Sequence, residues 1–203
     1  MKNFAIALLS LSIFIGCKNQ QEKPIPIAAE VTDKEIYEIV NLVIAEHEQA
    51  IKHDMREGVP SPYQYFLDRS LDPFFNKSDS LKLFSGDSIF SKHDLDFVGR
   101  QIQERKNFRY DKDEIKSKTL KVISIDTIRH LIEERKRTGK GFYELYTKKL
   151  GKGWYYSIGI PLFSKDKKTV FINFDTFGAG SSVIYRKINN RWQFYCHVSS
   201  WAA

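Results

Sequence analysis

The chain has 203 residues, 42% of them hydrophobic and 14% aromatic, with a formal net charge of +7. These values exclude a collagen-like, repeat-rich or largely disordered polypeptide and leave enough chain to bury a core without disulfides or metals. The 32 Lys and Arg are spread along the sequence among 25 Asp and Glu, which is not the clustered distribution of a nucleic-acid-binding protein.

Lys2, the uncharged run Phe4 to Ile15 and the small residue Gly16 read as an export signal over residues 1–16. A helix over that run rises only about 18 Å against a hydrocarbon core of about 30 Å, so a cleaved segment is expected rather than a permanent span. The junction Phe14-Ile15-Gly16-Cys17 resembles the lipobox of bacterial lipoproteins, with Phe14 where Leu is usual. The resemblance implies that Cys17 takes a diacylglycerol through a thioether and becomes an N-terminus carrying a further acyl chain such as palmitate. Two or three chains anchor stably, where one is marginal. Lys18, rather than Asp, follows the cysteine, and by the same resemblance this points to the periplasmic face of an outer membrane. Residues 17–31 are polar, contain Pro24 and Pro26, and read as a tether that reaches about 40 Å when extended at about 3.1 Å per residue. Lipidation leaves Cys196 as the only other thiol, so no intrachain disulfide is expected.

A single globular domain is expected over 32–203. Thr32 and Glu35 form a capping box, and Ile36, Ile39, Val40, Val43 and His47 recur at helical spacing, predicting a helix from about Asp33 to His53. From Ser61 to Asp87 the prolines and the aromatic residues Tyr63, Tyr65, Phe74 and Phe75 suggest short helical turns and loop. A short strand is expected over Ser88 to Phe90. Ser91 then caps a helix with Leu95, Val98 and Ile102 on one side. Glu104 to Lys118 is a charged connector. A β-branched strand follows over Thr119 to Ile125, then a helix from about Thr127 to Thr138 that stops at Gly139. The basic run in that helix reads as a solvated face with Glu133 and Arg137 paired, not as a binding patch.

From Trp154 the hydrophobic period becomes two, predicting four strands around Trp154 to Ile160, Val170 to Phe174, Val183 to Tyr185 and Trp192 to Val198. Turn residues separate them at Ser164 to Lys168, Phe177 to Gly180 and Asn189-Asn190. The expected fold is α+β, with N-terminal helices packed on a C-terminal four-stranded antiparallel meander. Trp192, Phe194, Cys196 and Val198 are expected on the covered face.

The stretch Phe142 to Trp201 resembles a group of exported bacterial proteins and lipoproteins of unassigned biochemistry. Phe142, Tyr143 and Tyr146, Pro161 and Phe163, Lys165 and Asp166, Gly178 and Gly180, and Trp192 carry the likeness. The group supplies no catalytic residues to this chain.

The remaining motifs argue against catalysis and metal binding. His47-Glu48 begins like a zinc helix, but the second histidine position is Ile51. His93 and Asp96 read as a surface pair. Asp111-x-Asp113 starts like a calcium loop and then places Ile115 and Lys116 at required positions. Cys196 and His197 are adjacent on a strand and point to opposite faces, so they form no dyad. Gly178-Ala179-Gly180-Ser181-Ser182 is neither a P-loop nor a nucleophile elbow. No cofactor, metal or nucleic acid is therefore expected.

The alternation instead places Tyr155, Asn173, Asp175, Arg186, Tyr195 and His197 on one aromatic and polar sheet face, the candidate binding surface. The expected function is that of a lipid-anchored envelope protein acting as a non-enzymatic binding or accessory module for a protein, glycan or lipid partner. The alternative is a periplasmic hydrolase whose carboxylates come together only on folding.

Overall fold

The computed structural model describes residues 30–54, 63–69, 89–176 and 179–202. The signal segment, Cys17 and nearly all of the tether lie outside them, as do Phe74, Phe75 and the first half of the glycine turn. Among the described residues no helix is long and apolar enough to cross a membrane.

Helix α1 spans Asp33–Asp54 and opens on the expected capping box. Thr32 N donates to Glu35 Oε2 at 2.8 Å, and Glu35 N donates to Thr32 Oγ1 at 3.3 Å. Strand β1 (Tyr63–Leu67) follows. A 3-10 turn over Lys92–Asp94 leads into α2 (Leu95–Glu104). Next come β2 (Lys121–Ile123), α3 (Ile125–Thr138) and α4 (Phe142–Leu150). Ser124 caps α3 by accepting from Asp126 N, and Gly139 ends it in the left-handed region at φ +70°. The chain then runs through β3 (Trp154–Ile158), β4 (Leu162–Phe163), β5 (Thr169–Thr176), β6 (Ala179–Ile188) and β7 (Arg191–Ala202).

The expected four-stranded antiparallel meander is corrected by this topology. The sheet has seven strands in the order β2-β1-β3-β5-β6-β7, with β4 added beside β5. β1 pairs with β2 and with β3 in parallel, and the other pairings are antiparallel. The sheet is therefore mixed, and helices lie on both faces. β2 lies within the strand expected over Thr119 to Ile125, whereas β1 and β4 left no periodic trace because they have only five and two residues. Parallel partners are also joined by crossovers, which give no hairpin signal. Tyr63 to Leu67, expected as helical turn and loop, is β1. Ile89 and Phe90 form a bend, not a strand, and Leu95 is exposed although its helix was expected to bury it.

One face of the sheet is covered by α1. Ile36, Ile39, Val40, Val43 and Ile44 pack there on Phe66, Tyr156, Ile158, Val170, Ile172, Val183 and Tyr185. The opposite face is covered in two places. Helices α3 and α4 bury Leu67 and Tyr155 with Ile125, Ile128, Leu131, Leu145 and Tyr146. Val98 of α2 and Phe90 bury Leu162, Phe171 and Ile184. The buried amide of Gln101 fastens α2 to β4, donating to the Phe163 carbonyl at 2.8 Å and accepting from Phe163 N at 2.9 Å.

The β6–β7 turn is built as expected. Asn189 and Asn190 have φ of 50° and 60°, the paired left-handed geometry of a two-residue hairpin. Strand β7 departs from simple alternation at two bulges. Ile184 pairs with Cys196 and Tyr185 with Phe194, so Tyr195 is the extra residue. Ser182 pairs with Ser199 and Val183 with His197, so Val198 is the second. Trp192 and Phe194 thus share the α1 face, whereas Cys196 and Val198 pack with the α2 cluster across the sheet. The expectation that all four share one face is corrected.

Candidate functional site

Between the α3–α4 cluster and the α2 cluster, the face away from α1 carries a polar strip. Cross-strand register aligns Ser157 of β3, Asp175 of β5, Gly180 of β6 and Trp201 of β7 in one row. The next row holds Asn173, Ser182 and Ser199. Directly paired residues project to the same side, so both rows form one surface.

Hydrogen bonds order this surface. Ser199 Oγ donates to Ser182 Oγ at 3.2 Å, and Ser182 Oγ donates to Asn173 Oδ1 at 2.6 Å. The Asn173 carbonyl accepts from Gly159 N at 2.7 Å. Ser157 is fully buried, and its Oγ has no hydrogen-bond partner among the described residues. Burial first, and the charge of Asp175 second, push the neighbouring Tyr155 hydroxyl up to about 12, which keeps it a neutral donor at any physiological pH.

Gly180 makes the row possible. A Cβ at that position would overlap the Trp201 indole and stand 2.5 Å from Asp175 Oδ1. The glycine thus lets an aromatic ring and a carboxylate converge on the sheet surface. Trp201 remains 41% exposed there.

The six residues expected to share a face divide into three groups. Tyr155, Asn173 and Asp175 lie on the strip or at its border, with Tyr155 buried under α3 and α4. Arg186 and Tyr195 are on the same face of the sheet, stacked with the guanidinium carbon 3.7 Å from the ring centroid. The covered row Phe171, Ile184 and Cys196 separates them from the strip. His197 is on the other face, paired with Val183, because the Tyr195 bulge shifts its parity. Its Nδ1 is 3.2 Å from Ser181 Oγ and its ring 5.1 Å from that of Phe194.

Sequence reasoning missed Ser157, Gly180, Ser182, Ser199 and Trp201. A signal existed for the last two. Gln193, Tyr195, Ser199 and Trp201 share one parity, and the two bulges together restore it beyond His197.

Other clusters have structural explanations. Asp113 N donates to Asp111 Oδ1 at 3.0 Å, so that pair makes a turn in the connector. An open groove of about 810 Å³ between α1 and the connector is bridged by Tyr37 and Asn41, which bond to the backbone of Asp111, Glu114 and Lys116. Glu48 Oε1 accepts from Ser117 Oγ and Thr119 Oγ1 and fixes the loop before β2. Lys136 is the partner of Glu133 at 2.8 Å. Burial raises the Cys196 thiol above its ordinary value, as for a packed small side chain. Among the described residues, no group of three or more His, Cys, Asp and Glu could hold a metal ion.

Comparison of the chain with protein-family models, curated proteins and solved structures found no match.

Proposed function

We propose that the chain is a lipid-anchored binding module of the bacterial cell envelope, held through Cys17 at the periplasmic face of an outer membrane, and that its ligand is a glycan. The observation that carries the ligand class is the convergence of the Trp201 indole and the Asp175 carboxylate over Gly180, beside the Asn173 amide and the serine hydroxyls. A sugar presents an apolar C–H face and a rim of hydroxyls, and this row offers a flat ring for the first and fixed donors and acceptors for the second. Among the described residues the two rows carry one carboxylate. Hydrolysis of a glycoside uses two, so binding is favoured over the hydrolase reading.

Titration with oligosaccharides released from the host envelope tests the proposal. Trp201→Ala and Asp175→Asn should each weaken binding by about tenfold or more while circular dichroism remains that of the parent. Equal affinity in both variants overturns the site, and no binding by the parent overturns the ligand class.

A further inference from the structure

From Thr176 to the C-terminus the sequence contains no Asp or Glu, and its three Arg and Lys residues, Arg186, Lys187 and Arg191, gather toward the tip of the β6–β7 hairpin. Exposed apolar side chains stand among them, with Ile188, Phe194 and Tyr195 exposed by 47, 48 and 49%. Lys187 Nζ lies 5.1 Å from the Trp192 ring centroid, so the cations and the aromatic rings are interleaved.

The β4–β5 turn extends this end of the domain. Lys187 N donates to the Lys168 carbonyl at 2.7 Å, and a groove of about 470 Å³ lies between the two turns, lined by Asp166, Lys167, Lys168, Lys187, Asn189 and Asn190. Three of the nearby acids are engaged. Glu35 and Glu38 pair with Lys167 and Lys187 at 3.0 and 3.6 Å. Asp166 Oδ1 accepts from Ser164 Oγ and Lys168 N at 2.6 and 3.0 Å. Among the described residues, Lys165, Lys168 and Arg191 have no carboxylate partner. The polypeptide N-terminal to the domain also arrives here, since Lys167 Nζ donates to the Glu30 carbonyl at 2.8 Å.

We propose that this end of the domain, the β6–β7 hairpin tip with the β4–β5 turn, docks on an anionic lipid surface. The inference rests on the anchored reading above, because the tether brings that surface to Glu30. Lys165, Lys168 and Arg191 meet headgroup phosphates, while Ile188, Phe194 and Tyr195 sit at the headgroup level, where an apolar body with a polar rim is favoured. The tip enters end-on, so both faces of the hairpin contribute. Gly180 and Trp201 lie eight residues along β6 from Ile188, about 26 Å at 3.3 Å per residue, which holds the glycan row away from the bilayer.

The lipidated protein is reconstituted into vesicles containing about one-third phosphatidylglycerol or only phosphatidylcholine, and lysine acylation is read residue by residue. Lys165 and Lys168 should react at least about fivefold more slowly on the anionic vesicles and recover at high salt, with Lys136 and Lys148 of α3 and α4 unchanged. The double variant Ile188→Ser, Arg191→Glu should lose that protection and still float with the vesicles. Equal labelling of Lys165 and Lys168 on both vesicles, in protein that floats, overturns the docking surface and leaves the anchor standing. Protein that lacks acyl mass and does not float overturns both.

Discussion

The Trp201 indole occupies the space that any side chain at Gly180 would need. The two residues face each other across β6 and β7, so the ring is seated by the backbone of its own partner strand. Gly180→Ala should displace the ring, cost about 1–3 kcal/mol, and alter the near-ultraviolet dichroism. Chemical denaturation and the dichroism spectrum check this together. A spectrum and stability equal to those of the parent would show that the ring does not depend on the glycine.

His47 predicts a pH dependence. Its ring stacks on Tyr156 at 4.3 Å and 8°, and its buried Nε2 has no hydrogen-bond partner among the described residues. Burial lowers its pKa below the ordinary 6.5, with Glu48 opposing. The folded state therefore binds a proton less readily than the unfolded one. Stability is fully present above about pH 6.5 and is lost as the pH falls toward the depressed folded-state value. Denaturation midpoints at pH 7.5 and 5.0 should converge in His47→Phe relative to the parent, and an unchanged difference would remove His47 as the cause.

The capping box, the stop at Gly139, strands β2, β3, β5, β6 and β7 and the Asn189-Asn190 turn were legible because each is written in local sequence. The rest depends on distant pairing. Tyr63 to Leu67 becomes a strand only because β2 and β3 flank it in parallel, and five residues among prolines and aromatics carry no period of their own. Bulges are equally silent. Tyr195 and Val198 look like ordinary members of an alternating strand, yet the first moves His197 to the α1 face and Cys196 away from Trp192, and the second returns Ser199 and Trp201 to the strip. Asn173 and Asp175 were legible as members of one sheet face because β5 runs without a shift, whereas Arg186 was separated from them by a covered row that only the register reveals.

The Cys17 reading makes a covalent prediction. Protein extracted from membranes should have an intact mass beginning at Cys17 with acyl chains added, and Cys17→Ala should leave an unacylated, poorly processed chain. An unmodified N-terminus downstream of Cys17 in the native protein would contradict the anchor.

Fluorescence of Trp201 as the sole tryptophan, with Trp154→Phe and Trp192→Phe in the background, tests binding at the row most directly. Titration with envelope oligosaccharides should give a saturable change in its emission, weakened by about tenfold or more when Asp175→Asn is added. Saturable binding measured by calorimetry on the same protein, with no change in Trp201 emission, would contradict the assignment.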